Sequence, residues 1–295
     1  MYFLRRCYQM DCRRTALPYF LLAPTLIFLL FFFVVPLFQV IGLAFSSEHS
    51  IFTLRHFNRM FGDIYYQDAV INTLKMAVII IPIQLVVAFL SALIINKRFK
   101  GSTLFLYIYA IPLGISELGA GLIWLSIFTE KGYLNSILYQ LGILKEAVIY
   151  LSYQSPQWIM TAIVITEVWR ATPLVMIILL SGLQMIAKDY LEAADIFGAN
   201  WWQKVWLIIL PLLKPSIQSA LIIRTLLAFQ VFGPIIVLAG RLFPVMASES
   251  FFWYTLIRNE HVAATYALLL MVISMIITWS YLVFLKTKDE QVGVL

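Results

Sequence analysis

The chain has 295 residues, of which 62% are hydrophobic and only 12% charged. A soluble domain is on average about a quarter charged, and much of any folded surface must meet water, so this composition argues against a soluble globule. The formal net charge of +6 comes without a nucleic-acid-binding motif, and basic residues flanking apolar segments meet anionic lipid instead.

A bilayer-crossing helix needs about 20 mostly apolar residues, and six tracts reach that length. The N-terminal tail, 1–17, carries Arg5, Arg6, Arg13 and Arg14, and also Cys7 and Cys12. In a reducing cytoplasm this pair is not expected to form a disulfide, and with so few histidines it makes no metal site. Thr15 to Ser47 holds no charge. That tract is too long for a signal-peptide core, so it is expected to stay as a first span over 18–44. Further spans are expected over 70–96, entered past Lys75, and over 102–127, which contains Glu117. The next, 157–184, contains Glu167 and Arg170; 215–240 contains Arg224; 262–285 is uncharged. The fold class is therefore an all-α polytopic membrane protein, with a transmembrane domain over 18–286 and a short C-terminal tail over 287–295.

Alternate connections differ in basic content. The two tails, the 97–100 turn and segment 185–214 hold twelve Lys and Arg, whereas the other connections hold six. The positive-inside rule then places both termini and 185–214 in the cytoplasm, and 128–156 and 241–261 outside. The expected location is the cell membrane.

Catalytic signatures are missing. No GxxxxGK[ST] phosphate loop, HExxH or GxSxG occurs, so no cofactor is expected on this chain and an embedded hydrolase or transferase is the minor reading. The ionisable residues inside spans are candidates for a translocation path or a subunit interface, since charge in a bilayer faces a bundle interior or a wet cavity. Glu167 and Arg170 lie three apart on one helix face and can neutralise each other; Arg224 has no local partner. Gln184 and Gln230 join Glu117, Glu167, Arg170 and Arg224 as path or interface candidates. Asn72, Gln84 and Ser116 are further polar candidates for contact with a ligand, with Tyr107, Tyr109 and Trp124 as aromatic faces.

The segment LEAADIFGANWWQKVWLIILPLLKP, 191–215, breaks the greasy pattern. Asp189 can cap a helix starting at Tyr190, with Glu192 completing a near capping box. Gly198 suits a left-handed helix stop, and Asn200 can cap a second short helix. Pro211 suits a bend and Pro215 the first turn of the next span. A lipid-surface anchor through Trp201, Trp202 and Trp206 explains part of this elbow, 189–211; a docking element for a soluble partner explains more.

Glu192-Ala193-Ala194, three residues, Gly198, nine residues, Ile208, one residue and Leu210-Pro211 resemble the EAA motif of ABC importer permeases that use a substrate-binding protein. Trp169, Pro173, Gly182-Leu183-Gln184 and Trp202-Gln203 resemble the carbohydrate-uptake branch, and LPYFLLAPTLIFLLFFFVVPLF resembles its maltose- and glycerol-phosphate-type first permease subunit. The likeness runs over residues 14–286, with Phe197 standing where the family usually has Asp. It implies a heterodimer with a second homologous permease, two cytoplasmic ATPase subunits that hold the ATP and magnesium, and an external substrate-binding protein. It implies that Glu192, Ala193, Ala194, Gly198, Leu210 and Pro211 couple to the ATPase. The implied cargo is a di- or oligosaccharide such as maltose or trehalose, with glycerol phosphate or a polyol as the family's alternative. A secondary transporter or a membrane scaffold are the readings outside the family; a secondary transporter would carry paired repeats, and no strong internal repeat is present.

Overall fold

A computed structural model describes Tyr19, residues 21–47 and residues 52–284. The expected tails over 1–17 and 287–295 lie outside these residues. The chain is all-α. Its helices are numbered here α1 (Leu21–Phe45), α2 (Arg55–Phe61), α3 (Tyr66–Asn96), α4 (Ser102–Ala110), α5 (Glu117–Phe128) and α6 (Tyr133–Gln140). They continue as α7 (Pro156–Met185), α8 (Lys188–Ile196), α9 (Trp201–Phe229), α10 (Gly233–Leu238), α11 (Met246–Thr255) and α12 (Glu260–Phe284).

Five helices, α1, α3, α7, α9 and α12, are long and apolar enough to cross a bilayer unaided. The tract expected as one span over 102–127 is broken instead, with a bend of 101° between Ser102–Gly114 and Glu117–Gln140. The break has a local cause. Ile111–Gly114 tightens into a 3₁₀ turn around Pro112, and Ser116 leaves the helix in extended conformation. The Ser116 hydroxyl then accepts the Gly119 N–H at 3.1 Å and starts α5 afresh.

The expected span over 215–240 is also redrawn. It begins at Trp201 and ends at Phe229. Pro211 does not interrupt it. The turn before that proline, Val205–Ile209, widens into a π-helix, which accommodates the N–H that proline lacks. Pro215 lies inside α9 rather than in its first turn. After Phe229 the chain re-enters as α10, whose early Pro234 fits the first turn of a helix.

Helix α7 is the hub: 61% of its most apolar window is buried, against 0% of the corresponding window of α1. It packs most extensively on α3. One apolar cluster joins Ile80, Ile159, Ile163 and Ile235; a second joins Ala92, Leu179, Leu183, Val205 and Leu213 beneath the elbow. Small residues allow the closest approaches. A Cβ on Gly233 would sit 2.5 Å from the Glu117 Cβ, which seats α10 against the start of α5. A Cβ on Gly182 would sit 2.1 Å from the Ser216 Oγ, at the crossing of α7 and α9. Gly182→Ala is therefore expected to destabilise the chain by about 1–3 kcal/mol through overpacking. Adding Ser216→Gly should recover most of that loss in the thermal midpoint of the purified protein; no recovery would place the strain elsewhere.

Candidate functional site

The elbow is a stiffened corner. Helix α8 ends with Phe197, and Gly198 takes the left-handed conformation at φ +73°. The Ala199 N–H donates to the Ala194 carbonyl at 2.9 Å, and the Gly198 N–H to the Asp195 carbonyl at 3.0 Å. These are the paired bonds of a Schellman stop. Asn200 opens α9 with a reciprocal box: the Gln203 N–H donates to its side-chain oxygen at 2.9 Å, and its own N–H donates to Gln203 Oε1 at 2.7 Å. Lys204 pairs with Asp195 across the corner.

The helix start differs from expectation. Ala187 occupies the cap position and makes no side-chain bond, so Asp189 does not cap. The helix begins two residues earlier than Tyr190, which puts Asp189 inside the first turn, where its carboxylate complements the helix dipole. Of the motif residues, Ala194 is buried and Leu210 half-buried against the apolar cluster beneath. Glu192, Ala193, Gly198 and Pro211 are exposed. The tip is apolar: Ile196 is 84% and Phe197 89% exposed.

A second site lies in the bundle interior. The four ionisable residues foreseen inside spans 102–127, 157–184 and 215–240 come together. Arg170 donates to Glu167 Oε1 and to Glu117 Oε1, each at 3.0 Å. Arg224 Nη2 donates to Glu167 Oε2 at 2.9 Å. Arg224, without a local partner in sequence, finds one 57 residues earlier, on α7. Gln84 of α3 accepts from Arg224 Nε and donates to the Glu167 carbonyl at 2.8 Å. Glu117 Oε2 accepts the Gly233 N–H at 3.3 Å. Two acids and two guanidiniums balance, which is the condition for tolerating charge at this depth. Glu167 and Gln84 are wholly buried and Arg224 is 1% exposed, while Glu117 opens toward the surface at the helix break. Arg224 Nη1 is buried with no partner.

The remaining candidates scatter. Gln184 and Gln230 are exposed and outside this network. Ser116 caps α5, Asn72 donates to the Pro244 carbonyl at 3.0 Å, and Tyr109 accepts from Ser91 at 3.2 Å. Trp124 stacks on Phe128, and Tyr107 is exposed.

Sequence reasoning missed a third polar cluster near the 241–261 connection. Asp63 accepts from Trp253 at 2.7 Å and from Tyr266 at 3.0 Å. Arg241 pairs with Glu249 at 2.7 Å and lies over the Tyr65 ring. Burial pushes the Glu249 carboxyl above its ordinary range, against the pull of Arg241, whose own guanidinium is raised by that hydrogen bond. Its members come from distant segments, so no local spacing signals it.

Residues 68–288 match the family described as binding-protein-dependent transport system inner membrane component. The chain belongs to that family. It is accordingly a membrane component of a transport system, and its relatives are transporter subunits. The sulfoquinovosyl glycerol transport system permease protein SmoG of Agrobacterium fabrum is 30% identical over 285 residues, covering 91% of this chain and 90% of that protein. The trehalose/maltose transport system permease protein MalF of Thermococcus litoralis is 31% identical, over 79% of this chain and 80% of the relative. The trehalose transport system permease protein SugA of Mycobacterium tuberculosis is 32% identical over 68% of this chain, and the match spans 62% of that relative's length. The fold is shared with a bacterial ABC transporter involved in alginate import, at a TM-score of 0.79 and 22% identity, over 94% of this chain and 96% of that one.

Proposed function

We propose that this chain is one of two permease subunits of a carbohydrate importer, the maltose- and glycerol-phosphate-type first subunit, fed by an external binding protein and driven by separate ATPase subunits. The corner at 188–204 carries this reading. Its Glu192 and apolar tip project outward, while Leu191, Val205 and Leu210 tie it to the core. A stiff corner joined to α7 on one side and α9 on the other transmits a push to both at once, which suits switching between two packed states. Glu192, Ala193 and Gly198 meet the ATPase surface, the buried Ala194 lets α8 sit close to this chain beneath them, and Leu210 and Pro211 pass the displacement into α9. Both termini and this corner face the cytoplasm. The named cargoes of the relatives, trehalose, maltose and sulfoquinovosyl glycerol, support a di- or oligosaccharide or another glycoside as substrate.

The test is purification with the co-encoded subunits, reconstitution in vesicles and an ATPase assay over a panel of sugars with the binding protein. Stimulation by one glycoside, with its uptake, is expected. Stimulation only by a non-carbohydrate would overturn the substrate class, and transport by the chain without any ATPase would overturn the subunit role.

A further inference from the structure

We propose that the groove between α3 and the start of α9 holds one acyl chain of an anionic phospholipid, whose headgroup lies against the basic 97–100 turn. The groove has a volume of about 290 Å³. Leu85, Phe89 and Leu93 line one side and Trp201, Trp202 and Trp206 the other. Leu85 to Leu93 is eight residues of helix, or about 12 Å of rise, close to half of a hydrocarbon core of about 30 Å. The groove is thus as deep as a single leaflet, which fits one lipid tail.

The mouth supplies the second half of the argument. Helix α3 ends at Asn96, and Lys97, Arg98 and Lys100 follow, all exposed. None of them joins the ion pairs found among the described residues. The Lys97 ammonium sits 5.9 Å from the Trp201 ring, so one cation stands directly above the aromatic wall. Tryptophan is favoured at the headgroup level, where its apolar body and N–H meet different media. An apolar slot under unneutralised cations is complementary to a phospholipid with net negative charge. A zwitterionic headgroup or a purely apolar protein helix would leave those cations unmatched.

The bound tail would touch the elbow itself. Trp201 and Trp202 lie inside the Asn200–Gln203 box, in the first turn of α9, and Trp206 lies in the π-helical turn. A lipid here would brace the corner against α3 and so favour its present angle.

Native mass spectrometry of the purified importer, supplied with equimolar phosphatidylglycerol and phosphatidylcholine, tests this. Wild type should retain one phosphatidylglycerol selectively. Lys97→Gln should weaken retention about fivefold, since a cation near the lipid surface is worth about 1 kcal/mol. Lys97→Arg should restore it. Leu90→Trp, which fills the groove, should abolish retention of either lipid; Val86→Phe serves if that variant fails to assemble. Retention of equal amounts of both lipids, unchanged in Lys97→Gln and in the filled variants, would overturn the proposal. So would a cysteine at Leu90 that cross-links to the second permease subunit, because protein would then cover the groove.

Discussion

Arg224→Leu is expected to be among the most damaging single changes in the transmembrane bundle, at about 3 kcal/mol or more. The variant removes one of the two guanidiniums on Glu167, which is wholly buried, and releases the Gln84 oxygen that Arg224 Nε now satisfies. Removing one partner of a buried pair costs about 3–5 kcal/mol, most of it from the charge left behind. The lower end applies, because Arg170 still donates to both Glu167 oxygens, at 3.0 and 3.3 Å. Against a total stability of about 5–15 kcal/mol, such a loss lowers folded yield visibly. Arg224→Lys keeps the charge but cannot serve Gln84 and Glu167 together, so it should cost less, about 1–2 kcal/mol. Glu167→Leu with Arg224→Leu is the informative combination. It leaves Arg170 paired with Glu117 and restores neutrality, so most of the loss should return. Denaturant titration of the purified permease in detergent measures all three. An Arg224→Leu variant within about 0.5 kcal/mol of wild type would mean that water or a partner subunit already neutralises Glu167.

The same cluster shows what a one-dimensional reading can see. Glu167 and Arg170 share a helix face, and their pairing follows from the spacing of three. Arg224 finds Glu167 only because α7 and α9 pack together, a relation that periodicity does not encode. Apolar run length likewise found the long apolar helices α1, α3, α7 and α12, but it misplaced α9 and did not show where α4 and α5 part. There the deciding features were short, a proline-centred 3₁₀ turn and one serine cap, set inside an otherwise apolar run. Pro211 misled in the opposite sense. A proline signals a bend in isolation, yet a π-helical turn absorbed its missing N–H and kept α9 continuous. At the elbow the local rules worked, since Gly198 and Asn200 act through bonds within a few residues of themselves. Asp189 failed as a cap because the helix began earlier than its own side chain could mark.

Glu192→Ala should abolish coupled transport while leaving the permease folded. Glu192 is exposed, caps no helix and joins none of the ion pairs among the described residues, so its removal has little to destabilise in this chain. Under the proposed function whatever is lost comes from contact with the ATPase, where stranding a buried partner charge costs about 2–5 kcal/mol. Gly198→Pro should act differently. Proline is confined to a φ near −65°, whereas Gly198 sits at +73° and donates its N–H to Asp195. The Schellman stop cannot form, the corner loses its angle, and hydrolysis should continue without uptake even where the ATPase still binds. Phe197→Asp separates apolar docking from mere lipid contact. Phe197 is 89% exposed beside Ile196 at 84%, and burying such a ring contributes about 1.5–3 kcal/mol. Placing Asp there should therefore weaken ATPase retention by that amount, beyond the roughly 0.3–1 kcal/mol that an acid costs at a helix C-terminus. Permease yield, co-purified ATPase and substrate uptake per ATP in vesicles distinguish the three variants. Wild-type values of all three in both Glu192→Ala and Gly198→Pro would remove the coupling role and leave the corner as an anchor on the lipid surface.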